Sequence, residues 1–446
     1  MSTAIFDNFE SPGNSPANFP YGIRIGSSGG SAVNNIGIPG QLGFGVGICP
    51  GPLPSGMTGL SGYNDPSSDN YGNYQYSDGS IMVWIPAFWY KYGTGSNGLG
   101  VNVIDVKAFD QYASVVVAAT DGYALHRAFY DGGAIQPGVF VDKYQCSNNG
   151  GTASSVKNGN PLSSGSSHNS FSGLTGAPTD EYGGAIDAAK TRGANFFCNT
   201  RFIYSALAFL SFTHASNSTS ATYCAWYWEP NIFLSFPRGN NNNALGDVID
   251  PSISYVSDGF SNCGKTGSAN LFARTTHNGQ NSGVADLNGN MFEITPGLSS
   301  DATNLYILNI NARMKDCTSG ITLSTDLWGA TGLAALYDNL GTSFESWRET
   351  GVDRTVYYWN STQIFSEATS GNSWNWAGAG GMLTTGWNGI NFFSQNAFYD
   401  YLPSYLCPVS GGYWGFGTDS GIFSLYLANS KFNTDDITGF RSALYL

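Results

Sequence analysis

Seven cysteines and four histidines are the side chains of this 446-residue chain best suited to covalent or metal chemistry. The cysteines (Cys49, Cys146, Cys198, Cys224, Cys263, Cys317 and Cys407) are widely scattered and form no Cys-x-x-Cys pair. Zinc sites are commonly built from such close pairs. An odd number of dispersed thiols predicts buried, reduced cysteines instead. The histidines (His126, His168, His214 and His277) share no local spacing, so packing or surface positions are expected for each. Gly26-Ser27-Ser28-Gly29-Gly30 has the form of a nucleophile turn, but it lies in a Gly/Ser-rich stretch rather than between a strand and a helix. Gly43, Gly45 and Gly47 miss the dinucleotide-loop spacing and run into Pro50 rather than a helix. Asp435-Asp436 reads as a solvated turn. No catalytic residue is predicted.

Composition points to a loop-rich, aromatic-packed fold. Charged residues are 11% of the chain, against 59 glycines, 26 tyrosines, 28 phenylalanines and 11 tryptophans. So many aromatics exclude a disordered chain and suit a loop-rich fold with little helix. The formal net charge of −13, with no basic stripe, disfavours nucleic acid as a partner. The opening Met1-Ser2-Thr3-Ala4-Ile5-Phe6-Asp7 lacks the basic and apolar regions of a secretory signal. No apolar run approaches the roughly 18 residues that a membrane span needs, so membrane insertion is not expected.

Two patterns are superimposed in residues 410–446. One is a framework: Trp414, Gly421, Phe423, Leu425, Leu427, Gly439, Phe440 and Leu444. The other occupies intervening positions: Tyr413, Phe416, Asp419, Tyr426, Phe432 and Asp435. Phe423, Leu425 and Leu427 alternate with Ser424 and Tyr426, which predicts a half-buried strand. Aromatics on the outward face, among Ser, Gly and Asn, have the character of a paratope: rigid contact area beside adaptable polar groups.

The run from Gly411 to Leu444 resembles the variable region of C-type-lectin-fold proteins of phages and bacteria that are diversified by retroelements, a class that includes tropism-determining tail-tip proteins. The family pattern opens Arg-Gly-Gly-Ser-Trp, continues as a Gly-hydrophobic-Phe-x-Leu-x-Leu strand and an Asn-rich loop, and closes Gly-Phe-Arg. Here Ser410 replaces the opening Arg and Tyr413 the Ser, while Trp414, Phe423, Gly439, Phe440 and Arg441 stand. The Asn-rich loop, with Asn429 and Asn433, fits adenine-directed diversification. A second stretch, Thr276–Glu293, is similar to the family's "N-x-x-G-hydrophobic-x-D-hydrophobic-x-G-N-V-W-E" signature through Asp286, Asn288, Gly289, Asn290 and Glu293, with Phe292 in the Trp position. In some relatives such groups help hold calcium; here a plain hydrogen-bond network is the alternative use of the same oxygens.

The resemblance implies an α+β, C-type-lectin-like (formylglycine-generating-enzyme-like) mixed sheet with two helices and many long loops, beginning near residue 78. It implies receptor contact by Tyr413, Gly415, Phe416, Thr418, Asp419, Tyr426, Phe432 and Asp435, with no cofactor. The formylglycine-generating relatives bind copper through a C-terminal cysteine pair. No cysteine follows Cys407 here, so that activity is not expected. The implied function is a phage tail-fibre or tail-tip adhesin, located in the virion and recognising a protein or glycan receptor on the bacterial surface. The trimeric state is likewise a family expectation. The alternative is a structural virion component, a head-decoration or collar protein, with the same face buried against other chains.

Along the chain, residues 1–77 are rich in Gly, Pro, Ser and Asn and read as an extended arm for oligomerisation or attachment to other tail proteins. Residues 78–446 form the lectin-like domain. Ile81–Tyr92 is the first strong strand signal, with Pro86 arguing for an edge or a bulge. Val139–Tyr144 is the second. Residues 147–178 read as an inserted surface loop. Helices are predicted over Tyr182–Arg192 and Thr200–Ala215, the latter with Thr200 as N-cap and apolar residues on one face. Residues 299–410 form the longest insertion, whose Trp374-Asn375-Trp376, Trp387-Asn388 and Phe392-Phe393 fit core and display surface equally.

Overall fold

The apolar runs Ile81–Pro86 and Gly138–Asp142 pair antiparallel, with Val83 opposite Val141 and Pro86 opposite Gly138. This is seen in a computed structural model that describes residues 36–93, 96–99, 104–218, 224–225, 236–341, 355–357, 369–380 and 397–446. Around the pair grows a six-stranded sheet in the order Met57–Gly59, Asn73–Tyr76, Ile81–Pro86, Gly138–Asp142, Ser442–Leu444, Phe197–Cys198. All of its pairings are antiparallel. The strand bearing Pro86 is therefore an interior strand, not an edge. Pro86 is tolerated because it is the last paired residue, where its missing N–H interrupts nothing further. After Ala87 the chain continues as Phe88–Tyr92 in another sheet, paired with Ile104–Ala108.

A second six-stranded sheet is mixed, in the order Thr355–Tyr357, Ala397–Asp400, Leu425–Leu427, Val409–Ser410, Phe292–Ile294, Thr438–Gly439. The chain passes from it into the first sheet through Phe440 and Arg441 alone. The architecture is thus mixed α+β, with several small sheets and few helices.

Helices form at Gly184–Lys190 and Arg201–Asn217. The Thr200 hydroxyl caps the longer one by accepting from Ile203 N at 3.3 Å. That helix is buried on every face from Arg201 to Ala215 rather than amphipathic, as a helix enclosed in a core must be. Its one arginine is satisfied inside: Arg201 donates to the Ala379 carbonyl at 2.7 Å and to Ser410 Oγ at 2.8 Å.

Two stretches expected at the periphery are built into the interior. Residues 36–77 supply two strands of the first sheet, and Ile36, Phe44, Val46 and Tyr71 lie in the main core. The sheet therefore begins before residue 78, and residues 1–35, with Gly26–Gly30, lie outside the described residues. Residues 147–178 carry a hairpin and bury Leu162, His168, Phe171 and Leu174. Their Ser, Gly and Asn content reflects close chain crossings rather than a surface loop. Ser164, for instance, donates from its backbone N to the Thr438 carbonyl at 2.9 Å and from its hydroxyl to the Asp435 carbonyl at 3.1 Å.

The 299–410 region contributes a three-stranded sheet with Leu298–Ser300, Leu305–Leu308 and Tyr337–Gly341, and a helix at Gly371–Gly378. Trp374 and Trp376 are core residues; Trp374 Nε1 donates to the Leu125 carbonyl at 3.0 Å. Trp387, Asn388, Phe392 and Phe393 lie outside the described residues. Among the described residues, no helix is long and apolar enough to cross a membrane.

Candidate functional site

Burial separates the two patterns of the C-terminal segment. Trp414, Gly421, Phe423, Leu425, Leu427, Gly439, Phe440 and Leu444 are all buried, as is Arg441. Tyr413, Gly415, Phe416, Thr418, Asp419, Tyr426 and Asp435 are half-buried, and Phe432 is exposed.

The buried layer is organised around Glu293 and Arg441. Glu293 pairs with Ser410 on one side and Gly439 on the other. Its carboxylate accepts from Arg441 Nε at 2.6 Å and from Nη2 of the same guanidinium. The remaining donors of Arg441 reach the Asp142 carbonyl at 3.0 Å and the Ala285 carbonyl at 2.9 Å. One side chain thereby ties the C-terminal segment, the Thr276–Glu293 stretch and the first sheet together. A two-pronged pair of this kind is geometrically selective.

Glycines occupy positions where backbones meet. A Cβ on Gly439 would stand 2.3 Å from the Leu162 carbonyl oxygen. Gly411, at φ +85°, would place one 2.5 Å from Tyr204 Oη. Phe440 packs edge-on against Phe171, with ring centroids 5.4 Å apart.

The Thr276–Glu293 stretch acts as a knot of hydrogen bonds. Asn290 Nδ2 donates to the Gly264 carbonyl at 2.9 Å, and its Oδ1 accepts from Gly264 N at 2.7 Å. Asn288 Nδ2 donates to the Pro237 carbonyl at 2.5 Å. Asp286 accepts from Gly267 N at 2.7 Å and from the Tyr255 hydroxyl at 3.2 Å; burial pushes its carboxyl up to about 6. Gly289, at φ +133°, lets the chain pass Asn240, whose carbonyl oxygen a Cβ would meet at 2.5 Å. Calcium does not fit this donor set. Both Glu293 oxygens face Arg441, so a divalent cation would have to displace a buried guanidinium.

His277 and His214 pin the N-terminal segment. His277 Nε2 donates to the Gly45 carbonyl at 3.0 Å, and Gly40 N donates to His214 Nδ1 at 3.0 Å. His126 is enclosed by Phe88, Tyr90, Phe129 and Phe209. All seven cysteines are buried thiols.

The outer layer is built on Phe292. Its ring meets Tyr413 at 5.4 Å, Phe416 at 4.8 Å and Tyr426 at 6.1 Å. The substitution of Phe for Trp in the signature thus places a smaller ring beneath three half-buried aromatics. Sequence reading singled out those three but not their common support. The loop carrying Tyr413–Asp419 rests on Asn241 and Asn243: Gly417 N donates to the Asn241 carbonyl at 2.7 Å, and Asn243 N to the Trp414 carbonyl at 2.6 Å. Burial raises the carboxyl groups of Asp419 and Asp435 above their ordinary range.

Phe432 stands apart from that cluster. It is 46% exposed and meets Tyr405, 38% exposed, edge-on at 5.6 Å, with Lys431 Nζ 5.1 Å from its ring centre. Tyr405 carried no signal in the sequence, because its contact with Phe432 depends on the loop bridge between Leu406 and Ser430. A cavity of about 330 Å³ lies elsewhere, lined by residues that include Asp131, Phe197, Arg313, Lys315 and Tyr445. None of the anticipated contact residues lines it.

The chain matches no protein-family model and no curated protein. Among solved structures it is similar to "Major Tropism Determinant U1 Variant", at 9% identity and a TM-score of 0.31, over 83% of this chain and 65% of that one. The chain thus spans less than two thirds of that neighbour's length, and a likeness at this level decides neither fold nor function.

Proposed function

We propose that this protein is a phage tail-fibre or tail-tip adhesin of C-type-lectin-like fold, and that its C-terminal aromatic face binds a receptor on the bacterial surface. The observation that carries the reading is the division of one segment into a buried framework and a half-exposed aromatic layer seated on Phe292. The sequence resemblance of Gly411–Leu444 supports it independently. Aromatic rings with a backed, rigid base contribute contact area at low entropic cost, and such rings dominate binding energy when a partner covers them. Tyr405 joins Phe432 as a second contact point on this reading.

Nothing in this role requires catalysis, and we assign none. One such face is small and binds weakly as a single copy. Presentation in several copies, as in a trimer on a virion tail, raises effective affinity without new contacts. Residues 1–35 are the proposed link to other tail proteins. The receptor is a protein or a glycan.

The test is binding of purified protein to host cells. Wild type is compared with a variant carrying Tyr413→Ala, Phe416→Ala, Tyr426→Ala and Phe432→Ala, with folding followed by thermal melting. Lost binding with folding retained supports the face as the receptor site. Binding equal to wild type removes that assignment.

A further inference from the structure

The tertiary structure brings His168, Asp258 and Cys263 to one point, although 90 residues separate the histidine from the aspartate. One ligand atom from each lies within 4.8 Å of the other two. Their side chains are shut away from solvent: His168 and Cys263 are buried residues, and the Asp258 side chain is fully covered. The local fold aims them together. Asp258 N donates to the Cys263 carbonyl at 3.0 Å and Cys263 N to the Phe260 carbonyl at 2.9 Å, a tight turn that sets the two side chains side by side. Asp258 Oδ1 is held by Phe260 N at 2.8 Å, which leaves Oδ2 to face His168 Nε2 at 2.6 Å.

The second nitrogen of His168 faces an acceptor as well. Nδ1 lies 2.8 Å from the Asp436 carbonyl oxygen, so it carries the proton. A neutral ring with its proton on Nδ1 then points the Nε2 lone pair at a carboxylate oxygen. That arrangement requires a second proton or a metal cation. An Nδ1–H donated to a carbonyl is the usual outer support of a histidine that ligates through Nε2.

We propose that His168 Nε2, Asp258 Oδ2 and Cys263 Sγ form a zinc site of three protein donors with one open position. Nitrogen, carboxylate oxygen and thiolate are the zinc donor types, whereas calcium and magnesium take oxygen alone. One thiolate and one carboxylate also balance the charge of Zn²⁺, so the buried centre is neutral. Binding forms three metal–ligand bonds and releases to buffer the thiol proton of Cys263 and any proton held between Nε2 and Asp258. Ligand bonds of about 2.0–2.3 Å set neighbouring donors roughly 3.3 Å apart in a tetrahedron, so the His168–Asp258 pair opens by roughly 0.7 Å on loading. Water completes the set. Met291 Sδ, 3.7 Å from Cys263 Sγ, is the nearby thioether, and a copper(I) ion would use it.

The site would join two loops under the C-terminal segment. His168 comes from the 147–178 region and Asp258 and Cys263 from the 257–264 turn. Trp414 abuts both His168, at 5.9 Å, and Phe260, at 6.0 Å. The inference does not depend on the adhesin reading.

The test uses the full chain, stripped with a chelator, dialysed, and titrated separately with ZnCl₂, CoCl₂ and copper(I). The expected result is one zinc per chain, a melting temperature raised by several degrees, and a cobalt form with a thiolate charge-transfer band and tetrahedral visible bands. Cys263→Ser should abolish the charge-transfer band and weaken zinc binding at least tenfold, and Asp258→Asn should weaken zinc while sparing the band. Should either variant fail to fold, the wild-type stoichiometry and cobalt spectrum decide. Sub-stoichiometric zinc with no cobalt–thiolate band overturns the proposal. So does a band that survives in folded Cys263→Ser, or stoichiometric copper(I) with no zinc.

Discussion

The C-terminal segment contains two layers that alternate along one backbone and differ in almost everything else. The inner layer, from Trp414 through Arg441, is buried, close-packed and tied by the Arg441–Glu293 pair. The outer layer, from Tyr413 through Asp435, is half-buried or exposed, and three of its aromatics, Tyr413, Phe416 and Tyr426, share one supporting ring, Phe292. The difference teaches that position in the layer, not residue type, sets how freely a side chain can change. Phe occurs in both layers, yet only the inner Phe423 and Phe440 are fully buried.

Four measurements would break or sharpen this contrast. The largest effect is expected at Glu293→Gln, which leaves a buried guanidinium without its counter-charge. Removing one partner of a buried pair typically costs about 3–5 kcal/mol, to be read from denaturant unfolding. A loss below about 1 kcal/mol would mean that the inner layer does not depend on this pair.

Next, Gly439→Ala sets a Cβ against the Leu162 backbone oxygen, which cannot rotate away. Overpacking of this kind costs about 1–3 kcal/mol, and a neutral melting temperature would count against close packing there.

Acid should attack the inner layer and the elements bonded to it. Burial lowers both His126 and His277 to about 3. Between about 3 and the ordinary histidine range near 6.5, the unfolded chain binds more protons than the folded one. Stability therefore falls as pH falls through that window. Asp286, raised to about 6, acts in the opposite sense between about 4 and 6, because there the folded state binds the proton. Each of these two buried histidines therefore pulls the melting temperature down from pH 7 to pH 4, while the buried carboxyls held above their ordinary range, Asp131, Asp247, Asp326, Asp419 and Asp435 as well as Asp286, offset part of that pull. His277→Gln, compared with its own value at pH 7, should decline less steeply, and an unchanged slope would acquit His277.

The smallest effect belongs to the outer layer. Phe432→Ser loses one exposed ring contact and should change stability by no more than about 0.5 kcal/mol. A loss of several kcal/mol would make Phe432 part of the framework and erase the distinction between the layers.

Much of the candidate site was legible because its spacing is local. Alternation over Leu425–Leu427 separates inside from outside, with Tyr426 half-buried between two buried leucines, whereas Ser424, read as outward, is buried with Phe423 ahead of the strand. The Thr200 cap and the helix behind it follow from equally local signals. Less was legible where low charge and many small residues disguise burial. The 36–77 and 147–178 stretches read as arm and surface loop because Gly, Ser and Asn are typical of both exposed turns and tight crossings. Only the hydrogen bonds of residues such as Ser164 and Asn278 tell the two apart. Pro86 misled in the same way: its ring forbids one hydrogen bond, and a strand's last residue has none to lose.

The sequence by itself determined which framework residues of the C-terminal segment point inward and where the long helix begins, since each depends on neighbours a few positions away. Only the tertiary structure decided that Glu293 meets Arg441, that Phe292 supports Tyr413, Phe416 and Tyr426, that Tyr405 joins Phe432, and that His168, Asp258 and Cys263 converge. Those contacts link residues tens to hundreds of positions apart. Loop closure over such distances leaves no periodicity in the chain, and burial rather than spacing selects the partners.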